Sequence, residues 1–461
     1  MRKVSVLMAF LVTGYVLGIW NFLVMPKYYL VFGMKGLLIS LIPALGALFL
    51  MYSEAETTKR TRYLIYELFF KVTRKPAVVF TLLMFLLIML GVTTYFTAYS
   101  VPYILGFTPS APYVVLFSLL TVLLVVVLLI LAKGKTLDVI SFVSILFIAF
   151  AVVTPFVMKG QVQGAVTSES AQIYMEDALS AITSFDHSLN FSGVIFLLVS
   201  VIISFGLGAG VYYVIGSFSP GDLDFKTVFG VVVILQIVLG FAAAYTVAYS
   251  LGASYQALEK ATVALTPDAT KALFYFQKFD ELKQYTSNAT VTPMESVGVL
   301  YSIPEVIKDN IPGYSGITTL LMLSLYFAGL STIIVLVEMG AQIFLEVLQV
   351  DRGKALLTVS AVGFVISAFM VVQGIKTLFV AVPFSVGALI AALEAYPLLN
   401  EELTVNKPLT VAVVGIFALI GLGALYYSFV QGGSMVKLGL VLGLVLFVPL
   451  LMNGMLLKAR R

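Results

Sequence analysis

Along almost the whole chain, apolar runs of about 18–25 residues alternate with short polar connections, the length that an α-helix needs to cross the hydrocarbon layer of a bilayer. The runs occupy 5–30, 35–53, 76–106, 112–132, 136–158, 192–217, 226–250, 316–348, 355–374, 377–396, 408–430 and 435–457. This pattern predicts an all-α polytopic membrane protein with twelve transmembrane helices. The third and eighth runs exceed the ~20 residues that a crossing requires, so tilt or extension past the bilayer is expected there.

Two connections are long enough to fold. In 159–191, residues 168–183 read as a short helix. In 252–315, Thr266-Pro-Asp opens an amphipathic helix with Leu273, Phe276 and Leu282 at helical spacing. Further on, Ser302-Ile-Pro-Glu305 matches a capping box, with a hydroxyl at the N-cap and a carboxylate three positions later. The apolar content of both connections argues for structured covers over an outer vestibule. Glu54 and Glu56 read as the end of the second helix, near water.

The basic residues orient the spans. With the N-terminus in the cytoplasm, all seven arginines (Arg2, Arg60, Arg62, Arg74, Arg352, Arg460 and Arg461) fall on the cytoplasmic side. The stretch 59–75 adds Lys59, Lys71 and Lys75 to that side. An even number of spans returns the C-terminus to the same face, so a multi-pass plasma-membrane protein with both termini cytoplasmic is expected. Met1-Arg-Lys before an apolar stretch resembles the start of a signal peptide. No small-residue cleavage site follows, however, so the stretch reads as the first span.

Composition narrows the chemistry. The chain is 61% hydrophobic and 11% charged, against about 25% charged in soluble domains, which makes the lipid bilayer its solvent. Its net charge of +4 is scattered between apolar runs and forms no patch for nucleic acid. The absence of cysteine excludes disulfides, thiolate metal sites and cysteine nucleophiles. A single histidine, His187, leaves no histidine-based metal cluster. These features weigh against an enzyme, and no organic cofactor is expected.

Two spans carry glycines where a helix should be continuous: Gly14-Tyr-Val-Leu-Gly18-Ile-Trp-Asn21 in the first and Ser204-Phe-Gly206-Leu-Gly208-Ala-Gly210 in the sixth. Each interior glycine costs about 1 kcal/mol relative to alanine. In membranes a single such cluster is commonly a close-packing surface. The placement of the two carries more weight. They open two successive sets of five spans, and because five is odd the sets would run in opposite directions through the membrane. Interrupted helices at equivalent places in inverted halves point to a binding site at mid-membrane.

Gly14-x-x-x-Gly18-x-x-Asn21-Phe22-x-x-x-Pro26 resembles the first-helix signature G-x-x-x-G-x-G-N-x-x-R-F-P of the neurotransmitter:sodium symporters. Ser204-x-Gly206-x-Gly208-Ala209 is similar to the unwound part of that family's sixth helix, and Phe327-Ala328-Gly329-Leu330-Ser331-Thr332 to its eighth. Gly298-Val-Leu-Tyr-Ser-Ile-Pro304 resembles the end of its fourth outer loop. The matches keep their order over most of the chain.

The resemblance implies a LeuT-type five-plus-five inverted repeat with helices 1 and 6 unwound. Helices 1–5 would occupy 1–158, the outer loop 159–191, helices 6–10 with the large outer loop 192–396, and helices 11–12 residues 397–461. It implies sodium-coupled symport of a small, hydrophobic amino acid by alternating access. One sodium would be held by the carbonyls of Gly14, Leu17 and Ala328 and the hydroxyls of Ser331 and Thr332, the oxygen set a hard cation takes. A second would use the Val16 carbonyl and Asn21. There, however, the family's sixth-helix hydroxyl is Ile202 and its seventh-helix asparagine is Gln236. The substrate pocket would be lined by Tyr15, Ile19, Trp20, Val201, Ser204, Leu207, Thr332 and Leu336, with Tyr95 or Tyr99 holding the substrate carboxylate.

Two departures bear on function. Trp20 replaces a glycine whose backbone meets the substrate in the family, and Val24 replaces the arginine of its outer gate. Glu338 lies within the eighth span, where an ionisable residue is by default a functional candidate. Through it, proton coupling or an altered stoichiometry is an alternative to sodium alone. A non-transporting membrane sensor of the same fold is a third reading.

Overall fold

The computed structural model describes residues 3–16, 18–132, 135–221, 223–263, 268–400, 403 and 406–459. Every regular element among them is helical. The first half contains α1 (Lys3–Val16), α2 (Ile19–Thr61), α3 (Ile65–Lys71), α4 (Ala77–Ile104), α5 (Ala111–Ala132), α6 (Thr136–Ala165), α7 (Glu169–Thr183), α8 (Phe191–Ser204), α9 (Val211–Phe218) and α10 (Phe225–Val263). The second contains α11 (Ala269–Ser287), α12 (Pro293–Ser296), α13 (Ile303–Ile307), α14 (Tyr314–Leu348), α15 (Arg352–Phe369), α16 (Gln373–Glu394), α17 (Lys407–Gln431), α18 (Ser434–Val445), α19 (Val448–Leu451) and α20 (Asn453–Ala459). Among the described residues, ten helices are long and apolar enough to cross a membrane. The chain is therefore a polytopic membrane protein.

Burial sorts the helices into an inner and an outer set. The most apolar windows of α4 and α14 are 83% and 78% buried, against 39% for α5 and 33% for α17. The inner pair lie against each other, with α6 on the far side of α14. The outer helices expose large apolar side chains, among them Leu116, Leu123 and Leu131 on α5, Phe142 and Phe156 on α6, and Leu419 and Phe429 on α17. A collar of this extent is not stable against water and is the expected surface against lipid.

The helices differ in detail from the apolar runs. Helix α2 contains both the end of the first run and all of the second, divided at Gly33, whose backbone leaves helical geometry (φ 53°, ψ −138°). Helix α10 continues to Val263, thirteen residues beyond the expected end at 250, so much of the outer connection is an extension of that helix.

Helix α11 also buries a different face from the one expected. Tyr275, Phe279, Leu282 and Tyr285 point inward, whereas Leu273 and Phe276 are exposed. Only Leu282 belongs to both stripes: the aromatic residues supply the buried area, and a pattern of aliphatic residues misses them. Thr266 and Pro267 lie outside the described residues. Asp268 caps the helix by accepting bonds from the N–H groups of Thr270 (2.9 Å) and Lys271 (3.2 Å).

No capping box forms at Ser302 and Glu305. A 3₁₀ turn at 299–302 runs directly into α13, so the Ser302 hydroxyl donates back to the Val299 carbonyl (2.7 Å). Glu305 is drawn away to Tyr103 and Lys278. The box forms at Thr292 instead, where Pro293 opens α12 and Glu295 accepts the Thr292 N–H at 3.0 Å. Ser168 does cap α7 as its sequence suggests, accepting the Ala171 N–H. The buried Lys27 ammonium donates to the Val291 carbonyl and so ties this outer connection to α2.

The bend at Gly33 admits the end of α7. A Cβ there would meet the Ala181 carbonyl oxygen at 2.6 Å and strike that of Ser184, in a left-handed conformation that disfavours any side chain. Gly33→Ala is expected to cost about 1–3 kcal/mol and to lower the melting temperature of the purified protein by several degrees. Gly160→Ala, which opens into free space, serves as the control. Equal melting of the two variants would show that the bend is not required.

Candidate functional site

Helix α1 ends at Val16 and α2 begins at Ile19, with Gly18 between them in extended backbone (φ −57°, ψ −164°). Leu17, expected to supply one carbonyl, lies outside the described residues. The Gly14/Gly18 spacing has a packing cause. A Cβ on Gly14 would strike the Ser144 hydroxyl and come within 3.0 Å of Ser331 Cβ. One on Gly18 would strike the Thr332 hydroxyl and come within 3.1 Å of Thr332 Cβ. The two glycines therefore let α14 press its hydroxyl pair against the break.

The close approach gathers oxygen. Ser331 Oγ lies 2.9 Å from both the Gly14 and Ala328 carbonyl oxygens. Thr332 Oγ1 lies 3.0 Å from the Ala328 oxygen and 3.4 Å from that of Gly14. All four residues are buried. An octahedral shell about 2.4 Å from a hard cation places neighbouring oxygens about 3.4 Å apart, so these four oxygens need only slight expansion to take corners of such a shell. The hydroxyls donate to the carbonyls in this geometry. On binding a cation, they would turn their lone pairs inward.

The second expected set is only partly assembled. Asn21 is fully buried, and among the described residues neither its amide oxygen nor its amide nitrogen has a hydrogen-bond partner. Buried amides are nearly always paired, so this one is a ligand-seeking group. Gln236 is engaged elsewhere, donating to Ser204 Oγ at 2.5 Å, and Ser204 donates to the Val201 carbonyl at 2.8 Å. Ile202 is buried and offers no side-chain oxygen.

The second break runs from Ser204 to Val211, with Gly206, Gly208 and Gly210 at φ +68°, +95° and +72°. Three residues close together in left-handed backbone cannot continue a helix, and only glycine adopts that geometry without strain. The peptide groups freed in this way are caught by side chains. Tyr15 donates to the Gly206 carbonyl (2.8 Å) and so links the first break to the second. Tyr212 donates to the Phe205 carbonyl. Glu394, the last residue of α16, accepts the N–H groups of both Gly208 and Gly210, the latter at 2.6 Å. Its own carbonyl accepts the Tyr213 hydroxyl (3.0 Å).

Two of these findings were not foreseen from the sequence. Glu394 ends an apolar run and gave no motif to mark it. Glu54, read as lying near water, is fully buried because α2 continues seven residues further, to Thr61. Among the described residues, neither of its carboxyl oxygens has a hydrogen-bond partner. Glu56 does reach the margin, where it pairs with Lys59 (3.3 Å). Glu338, the expected proton site, is held by Arg352 of α15 (2.7 Å) and Gln342 (3.1 Å). This makes it a tie between α14 and α15.

The expected pocket residues divide between two places. Trp20 is buried, donates its indole N–H to Thr93 Oγ1 on α4 (2.9 Å), and meets the ring of Phe384 on α16 edge-on at 6.1 Å. It therefore spans the middle of the molecule from the first break. Ile19, Leu207 and Leu336 are buried, while Val201 lines a small gap of about 10 Å³ with Met25, Tyr29 and Gln236. Tyr95 and Tyr99 lie further out, on the wall of a cavity of about 390 Å³ shared with Tyr103, Tyr301, Lys278, Glu305 and Lys376. Val24 is buried. In place of an arginine latch, this outer cavity holds a chain of contacts: Tyr103 donates to Glu305 (2.9 Å), and Lys278 of α11 pairs with Glu305 (3.2 Å) and Glu281 (3.5 Å).

Burial works against the Lys278 charge, but the charges of Glu305 and Glu281 outweigh it and raise the ammonium above its ordinary value. The raised folded-state value means that the latch is complete at neutral pH and fades as the pH climbs past the ordinary lysine range. Glu305→Gln should remove most of this alkaline sensitivity in the melting curve, and an unchanged curve would exclude the latch. Trp20 is the only tryptophan, so intrinsic emission reports its position alone. Thr93→Val should shift that emission and cost about 1–2 kcal/mol by leaving the indole N–H unpaired. Unchanged emission and stability would place the indole elsewhere.

No protein-family model and no curated protein matches this chain, so the functional reading of the site stands on its own geometry.

Proposed function

We propose that the protein is a sodium-coupled symporter of a small, apolar amino acid, working by alternating access around the two breaks. The observation that carries this reading is the oxygen cluster of Gly14, Ala328, Ser331 and Thr332, formed where two glycines let α14 meet interrupted backbone. Sodium is a hard cation that takes oxygen ligands, and this cluster offers them without a fixed charge that would demand a divalent ion. The unpartnered amide of Asn21 supports a second ligand position nearby in sequence, although Ile202 supplies no side-chain oxygen to it. On this reading α1 with the start of α2, and α8 with α9, are each one interrupted crossing. With the other long helices they make twelve in a LeuT-type inverted repeat, with both termini cytoplasmic.

The substrate follows from the space between the breaks. Tyr15 and Trp20 fill much of it and bond across it, which favours a substrate smaller than leucine unless the indole swings away. The peptide N–H groups freed at the first break suit a carboxylate, those of Gly208 and Gly210 at the second being engaged by Glu394. The buried side chains Ile19, Leu207 and Leu336 suit an apolar remainder.

Replacing Ser331 and Thr332 together with alanine removes two of the four gathered oxygens. Sodium-dependent uptake into proteoliposomes should then fall by at least about 100-fold, as expected when a transport cycle loses two ligands worth about 1.5 kcal/mol each. The melting temperature in sodium-free buffer should stay close to that of wild type. A double variant with unchanged sodium dependence would remove this cluster from the transport cycle.

A further inference from the structure

We propose that Glu54 and Glu394 form an acid pair that holds one proton between α2 and α16, behind the α8–α9 break. Both side chains are fully buried, and Glu54 feels the charge of Glu394. Their surroundings differ. Glu394 has two peptide N–H donors directed at its two oxygens, from Gly208 and Gly210, which is the arrangement that supports an ionised carboxylate. Among the described residues, Glu54 has no donor at either oxygen.

Two like charges cannot be held side by side in a medium this dry, so one of the two carboxyl groups keeps its proton. The asymmetry of donors assigns the proton to Glu54 and the charge to Glu394. As a neutral acid, Glu54 carries an O–H of its own, within the field of an anionic neighbour.

The groups around the pair agree with this assignment. From α1 comes Tyr15, and from α9 come Tyr212 and Tyr213; the charges of Glu54 and Glu394 bear on all three. These are neutral phenols. Further along α2, Lys59 points to Glu56 and the Leu223 carbonyl, and Arg60 to the Leu403 carbonyl. Helix α9 lies against the turn of α2 that carries Glu54: a Cβ on Gly216 would strike the Ala55 carbonyl and the Thr58 hydroxyl. Movement of α9 away from α2 would therefore open the pair to water. Once hydrated, the pair would release its proton to that water, leaving two solvated carboxylates, and would take one back on closing. This second step rests on the transport reading; the proton-holding pair does not.

Infrared difference spectroscopy on the whole protein in lipid nanodiscs tests the pair. Wild type minus Glu54→Gln at neutral pH should show one carboxylic-acid carbonyl band, lost in the variant and shifted by deuterium exchange. Glu394→Gln should keep that band. If wild type minus Glu54→Gln shows an ionised carboxylate instead, the proposal is overturned. Should Glu54→Gln fail to fold, titrating wild type to strongly alkaline pH answers the same question. An acid band that gives way only when the fold melts supports the pair, and the absence of any such band at neutral pH refutes it. Uptake assays are independent. A band without sodium-dependent uptake would sink the transport reading and leave the acid pair standing.

Discussion

Inside a bilayer every peptide group must find its partner within the protein, because no water is at hand to replace a lost bond. Most of this chain meets that constraint by continuous helices. The two breaks do not, and much of the rest of the central structure answers them. Tyr15, Tyr212 and Glu394 are placed where backbone groups were freed, and Glu394 alone satisfies two N–H groups of the second break. A carboxylate in that role brings its own difficulty, since a buried charge is costly unless paired. The donors at Gly208 and Gly210 meet that cost by making it the counter-pole of two aligned dipoles.

The two breaks are handled differently. At the second, side chains satisfy the backbone. At the first, the gap is met by another helix: Gly14 and Gly18 remove the bulk that would hold α14 away, so Ser331 and Thr332 reach the Gly14 carbonyl. The result is one break whose carbonyls face hydroxyls, and a second whose N–H groups face carboxylate. The first has the polarity of a cation site. In the second, donors already engaged by a protein anion hold the chain open.

This division explains what the sequence made legible. Glycine spacing marked both breaks because the two clusters open successive sets of five spans, whereas either alone would read as a packing surface. The hydroxyl pair at Ser331 and Thr332 was marked by the resemblance of its motif alone, since such hydroxyls are common in membrane helices. The carboxylates were harder. Glu54 falls close to a run of charged residues at 54–60, and only the true end of α2 at Thr61 reveals that it lies inside the protein. Glu394 falls in the last turn of an apolar run, as a boundary residue commonly does. Its role depends on residues nearly two hundred positions away, a separation that no local pattern can show. Glu338 attracted notice because of its depth, yet Arg352, fourteen positions on, turns back to reach it. The outer stripe of α11 was misread because the buried face is aromatic and the aliphatic residues happen to sit outside.

The same contrast orders the ionisable groups. Glu338 and Glu305 each have a cation in reach, and each joins elements near the margins of the bundle. Among the described residues, Glu54 and Glu394 have no such cation to answer them and sit instead among phenols and peptide N–H groups. Marginal pairs of the first kind can be exchanged for other contacts at modest cost, because water and salt screen them. A buried acid beside a buried carboxylate is a different object: its balance shifts whenever water is admitted. Placed behind glycine-rich backbone and close to α9, it lies where a change in the second break would be felt first. A carboxylate that only fastened the break would need no acidic neighbour, so Glu54 is the residue that separates a fixed structural clamp from a site that responds to hydration.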